Sequence, residues 1–169
     1  MKNILIIAGL ILLAISCSED PVTVVKCSAE GDNATAAGAL LTGAMGMMES
    51  AWADLPDNAL TDCAGSSSDC YDDLVIFTTL FTNALTQAAS SCASAEAYLD
   101  CWTTEGLTAD EAGYDRAYYV TYFNTLLTYD LLEDFTQAEI DEVGDILDIM
   151  GAVDPGQTLD CSDFGITID

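Results

Sequence analysis

The sequence predicts an all-α fold, a disulfide-stapled bundle of four to five helices, and three observations carry that expectation. Apolar residues recur at intervals of three and four along most of the chain, the period of a helix with one buried face. Six cysteines follow Cys17, namely Cys27, Cys63, Cys70, Cys92, Cys101 and Cys161, and they form an even set. Strand-like composition is confined to the short stretches 22–25 and 166–168. Hydrophobic residues make up 51% of the chain, too many for disorder.

In the first helix, residues 36–55, Ala37, Leu40, Leu41, Ala44, Met47, Met48, Ala51 and Leu55 share a face. Gly38, Gly43 and Gly46 weaken this helix relative to alanine and suggest close packing against a neighbour. The second helix, 71–91, opens on Asp72 and Asp73, whose charge suits a helix N-terminus. Leu74, Phe77, Phe81, Ala84, Leu85 and Ala88 form its inward row. A short third helix, 94–105, stops near Gly106. Thr108 and Glu111 have capping-box spacing and open a long helix with Tyr119, Tyr122, Phe123, Leu126 and Leu127 on one side. Thr136 and Glu139 repeat the pattern. The last helix turns Ile140, Val143, Leu147 and Met150 inward and Asp141, Glu142, Asp145 and Asp148 outward, with Gly151 as its C-cap.

Bridged cysteines need Cα atoms within about 7 Å. A helix over 71–91 separates its ends by about 30 Å at 1.5 Å per residue, so Cys70 cannot reach Cys92. Cys63 is expected to join Cys70 across Ser66, Ser67 and Ser68. In an up-and-down bundle Cys27 and Cys92 fall at one end, which gives Cys27–Cys92 and Cys101–Cys161. Cys27–Cys161 with Cys92–Cys101 is the open alternative.

Residues 1–16 combine Lys2, an apolar run over 4–13 broken only by Gly9, and small residues ahead of Cys17, the pattern of a signal peptide. The run is shorter than the roughly 20 apolar residues that span a bilayer. Ala14-Ile15-Ser16-Cys17 resembles the lipobox of bacterial lipoproteins, with alanine in place of the commonest leucine. The resemblance covers only this leader. It implies that Cys17 takes a diacylglycerol thioether and, after cleavage, becomes a fatty-acylated (palmitate-bearing) first residue that anchors the protein to a membrane of the cell envelope. Ordinary signal peptidase could cut the same bond, but it would strand an odd thiol in an oxidising compartment. The expected division is signal peptide 1–16, lipidated N-terminus and tether 17–32, and acidic helical domain 33–169. Glu19 and Asp20 look like a surface-export signal of some Gram-negative lipoproteins, or equally a solvated tether, so the membrane face stays open.

The chain has 29 acidic residues against 3 Lys and Arg, no histidine and a formal net charge of −26. Beyond Lys2 in the leader, only Lys26 and Arg116 are strong bases, and Arg116 is expected to pair with a carboxylate such as Asp115. Such a field repels phosphate backbones, which excludes nucleic acid as a partner. Without histidine there is no Ser-His-Asp, Cys-His or His-zinc chemistry. Two carboxylates could serve a hydrolase, but in so acidic a chain suitable pairs arise by chance. The sequence therefore points away from an enzyme, with a carboxylate-dependent hydrolase ranked last.

Calcium is the one cofactor the carboxylates suggest. Asp69, Asp72 and Asp73 are the densest group, although they lack EF-hand spacing. A divalent-cation-binding envelope protein is accordingly the alternative function. The leading expectation is a non-enzymatic envelope lipoprotein that binds a protein or glycan partner. Tyr114, Tyr118, Tyr119, Tyr122 and Tyr129 crowd one stretch; Tyr119 and Tyr122 align with Phe123 as core, while Tyr118, Tyr129 and Trp102 lie nearer the surface as candidate contacts.

Self-repulsion at this charge destabilises a compact state until salt screens it. The Debye length is about 10 Å at 0.1 M salt and about 3 Å at 1 M. The expected outcome, pointing to a saline habitat, is a melting temperature that climbs steeply over that range of NaCl; a flat response removes the idea.

Overall fold

A computed structural model describes residues 26–63, 65–112, 114–126, 136–150 and 159–169. The signal-peptide segment, Cys17 and the tether through residue 25 lie outside the described residues, as do Tyr129 and Gly151. The fold is an all-α bundle stapled by three disulfides. Its elements are α1 (Ser28–Ala53), α2 (Ala59–Cys63), α3 (Tyr71–Glu105), α4 (Ala109–Ala112), α5 (Arg116–Leu126), α6 (Gln137–Met150) and a 3-10 turn, Cys161–Phe164. Among the described residues there is no β-strand, and Ile166 to Ile168 form none.

The axis is α3, a single helix of 35 residues, about 50 Å long. The expected break between residues 91 and 94 is absent. No glycine or proline interrupts the span, and Ser91, Cys92 and Ala95 are all buried, so packing overrides the modest helix propensity of the serines there. Thr78, Thr82 and Thr86 also place their hydroxyls on carbonyls one turn back at 2.9–3.0 Å. The helix ends at Gly106, whose left-handed φ of 60° lets its N–H reach Trp102 O.

The continuous helix changes the bridging. Cys27 joins Cys101 and Cys92 joins Cys161, with Cα separations of 5.8 and 5.5 Å, in place of the expected Cys27–Cys92 and Cys101–Cys161. The alternative set fails as well, because Cys92 and Cys101 stand about 13 Å apart along one helix. Cys63 is joined to Cys70 at a Cα separation of 5.1 Å.

Helix α1 begins at Ser28, inside the stretch expected to be tether. The bridge at Cys27 pins its start, and Lys26 Nζ donates to Glu105 O at 3.2 Å, placing a cation at the negative end of α3. Gly31 lies beside Tyr98, where a Cβ would meet ring carbon Cε2 at 3.4 Å. At the other end Trp52 packs on Phe77 with ring centroids 5.1 Å apart, so α1 and α3 run antiparallel. The core contains Leu41, Ala44 and Met48 of α1, Phe77, Phe81, Ala84, Ala88 and Leu99 of α3, Phe123 of α5, and Val143 and Leu147 of α6.

The expected long helix after Thr108 is split into α4 and α5. The Asp115 carboxylate accepts the Tyr118 N–H at 2.7 Å and so starts α5 with a new N-cap. Helix α6 opens on the Thr136–Glu139 box. Thr136 N donates to Glu139 Oε2 at 2.7 Å and Glu139 N to Thr136 Oγ1 at 3.4 Å. Hydrogen bonds from the Thr136 hydroxyl, then its backbone, hold the Glu139 carboxyl below its usual range, with a further bond from Trp52. Glu142, expected to face solvent, instead accepts the Leu60 N–H at 2.9 Å and so caps α2 from another helix. Beside it Ile146 is fully buried with Ala59, Cys63 and Leu74.

Leu40 and Met47, expected inward, are 62% and 52% exposed. Helix α1 packs chiefly on α3 and buries only the narrow row Ala37, Leu41, Ala44 and Met48. Gly43 and Gly46 do not mark close packing either, since a Cβ at either would meet nothing within 4 Å. Gly43→Ala and Gly46→Ala should therefore each raise stability by about 0.5–1 kcal/mol, seen as a higher urea midpoint at unchanged slope.

Candidate functional site

The aromatic residues gather where the C-terminal third of α3 meets α5. Asp115 starts α5 at Arg116, and from there the helix turns Tyr119 and Phe123 toward Tyr98 and Trp102 of α3. Tyr119 is the hub. Its ring lies 5.6 Å from Tyr98, 5.1 Å from Trp102, 6.3 Å from Tyr114 and 5.6 Å from Tyr118. Three of these four contacts are edge-to-face, the arrangement that ring quadrupoles favour.

Outside this hub stand Tyr114, Tyr118 and Tyr122, spaced by four residues along one side. Tyr114 and Tyr118 stack with centroids 4.1 Å apart and planes 17° apart; Tyr118 and Tyr122 are nearly parallel at 6.2 Å and 11°. Tyr114 is 53% and Tyr118 44% exposed. The result is a short row of parallel rings, open to solvent at one end and fixed from behind by Tyr119.

Folding makes the phenols of Tyr98, Tyr119 and Tyr122 harder to ionise. Burial, then the nearby Tyr119 and its hydrogen bond, push Tyr98 up to about 12. Burial raises Tyr119 as well, against the lowering effect of the hydrogen bond it accepts from Tyr98, and burial together with Tyr118 and Tyr119 raises Tyr122.

Of the expected contact residues, Tyr118 is at the surface as anticipated, Trp102 is not, and Tyr129 lies outside the described residues. Trp102 is buried because the unbroken α3 carries it onto the same inward row as Ala95 and Leu99. Tyr98 and Tyr114 were not singled out from the sequence as contact residues. The four-residue spacings Tyr98–Trp102 and Tyr114–Tyr118 are the signals that could have marked them.

Arg116 pairs differently from expectation. Its Nε donates to Thr103 Oγ1 at 3.1 Å and its Nη2 to the main-chain oxygen of Asp169. It thereby ties α5 to α3 and to the segment after the 3-10 turn.

Asp69, Asp72 and Asp73 are exposed around the start of α3. Among the described residues, the one group of three cysteine or acidic side chains whose ligand atoms converge within 4.8 Å is Cys27, Glu30 and Cys101. Its two sulfurs are bonded to each other, so they offer no thiolate to a metal.

No protein-family model, curated protein or solved structure matches the chain.

A phenol whose pKa is raised by folding stabilises the fold fully below its ordinary value of 10, and this contribution is lost as pH climbs through the folded value. Stability should thus fall between pH 10 and about 12, alongside late tyrosinate absorbance. Tyr98→Phe should shrink that fall and cost about 1 kcal/mol below pH 10, through the lost hydrogen bond.

Proposed function

We propose that the protein is a membrane-anchored lipoprotein of the cell envelope that acts as a non-enzymatic binding module. The observation that carries this reading is the use of the cysteines. All six from Cys27 onward are bonded to one another, which leaves Cys17 without a cysteine partner in its own chain. A cysteine set apart in this way, directly after an apolar leader and in a lipobox-like sequence, suits acylation. Three disulfides also suit an oxidising compartment outside the cytoplasm.

The binding half of the reading rests on the exposed tyrosine row. Rigid aromatic rings with a polar tip supply contact area at little entropic cost, and tyrosine is enriched at recognition surfaces. The row is held from behind by buried aromatics, so its geometry exists before any partner arrives.

Intact-mass spectrometry of the native protein tests the anchor. The expected species lacks residues 1–16, carries diacylglyceryl and acyl groups on Cys17, and has lost two hydrogens for each bridge. Cys17→Ser should shift the protein from the detergent phase to the aqueous phase of a two-phase extraction. A full-length chain with its leader intact and its thiols reactive refutes the reading.

A further inference from the structure

We propose that the row of Tyr114, Tyr118 and Tyr122 is a docking surface for an arginine-bearing segment of a cationic protein partner. This deepens the binding half of the function above and is independent of whether Cys17 is acylated.

Charge complementarity selects the occupant. The chain carries 29 acidic residues and a net charge of −26, a field that draws cationic segments in and turns anionic ones away. Near the open end of the row, the ionisable groups next to Tyr114 in sequence are acidic: Asp110 and Asp115 are both exposed. Arg116 is the local exception, and its guanidinium is committed to Thr103 Oγ1 and Asp169 O. Lys26 is held at the C-terminal end of α3, on Glu105 O. Both cations among the described residues are thus engaged elsewhere, and the exposed ring faces are left to a cation from another molecule.

The geometry then distinguishes arginine from lysine. A guanidinium is planar and weakly hydrated, and it stacks flat on an aromatic face, whereas an ammonium is a compact, strongly hydrated point charge. Tyr114 and Tyr118 present parallel, half-exposed rings whose orientation is fixed by Tyr119. A flat cation can lie on the outer ring while the negative field of the chain favours its charge. A sugar would stack on the same ring but gain nothing from the charge.

The test uses the full-length protein in detergent, titrated calorimetrically with hexa-arginine and hexa-lysine peptides at about 150 mM NaCl. Hexa-arginine is expected to bind about fivefold more tightly than hexa-lysine. The preference should vanish in Tyr114→Ala/Tyr118→Ala and persist in Tyr114→Phe/Tyr118→Phe, because the ring is needed and the hydroxyl is not. In the unaltered protein, the arginine δ-methylene protons of the bound peptide should shift upfield in its NMR spectrum, a signature independent of any variant. Equal affinity for the two peptides, a preference that survives the alanine pair, unshifted δ-protons, or tyrosine-dependent binding of a neutral glycan such as cellohexaose with no arginine preference would each overturn the proposal. Failure here with lipid present on Cys17 leaves the anchor standing, and the converse result leaves the docking surface standing.

Discussion

The constraint on which the rest of the structure depends is the unbroken length of α3. All three disulfides end on it or at its edge: Cys70 is its N-cap, and Cys92 and Cys101 lie within it. It takes α1 along one side and receives α5, α6 and the 3-10 turn elsewhere. Were it to break near Ser91, the bridges would have to be rearranged and Trp102 would leave the core. The helix is continuous because Phe77, Phe81, Ala84, Ala88, Cys92, Ala95 and Leu99 give it an inward row from one end to the other.

The charge is distributed so that this axis can form. Residues 33–48 of α1 and 74–95 of α3 include no charged side chain, in a chain with 29 acids. Among the described residues repulsion is thereby kept to the helix ends, the last third of α3, the loops and the outer side of α6, where water and salt attenuate it. Some acids are used structurally: Asp115, Glu139 and Asp160 cap their own helices or turn, and Glu142 caps a neighbour. Each is a negative charge at a helix start, the position where the backbone presents free N–H groups. Although α3 is long, no helix of the described residues is both long and apolar enough to cross a membrane.

Helix existence was legible in the sequence because a buried face leaves a three-and-four rhythm, and the Thr136–Glu139 box was legible because its two hydrogen bonds are local. What could not be read depended on distant residues. Ser90 and Ser91 resemble a helix stop until the packing around them is known, and the cysteine pairing followed from that misplaced stop. Leu40 and Met47 share a rhythm with Leu41 and Met48, and only the number of neighbours around α1 decides which pair is covered. Glu142 sits among outward acids, and nothing local tells that the Leu60 N–H lies opposite. Of the aromatic surface, the crowding of tyrosines was legible and Tyr118 was placed outward. The exposure of Tyr114 and the burial of Trp102 depended on where α3 and α5 begin and end.

The order of the bridges along the chain has a consequence for survival among proteases. Cys92 lies inside the loop closed by Cys27 and Cys101, while its partner Cys161 lies outside it, so the two loops overlap. A single backbone cut anywhere between Cys27 and Cys161 therefore leaves both fragments covalently joined. A nicked molecule would gain only the one water consumed in the cut, and its two pieces would stay together until a reductant or a second cut arrived.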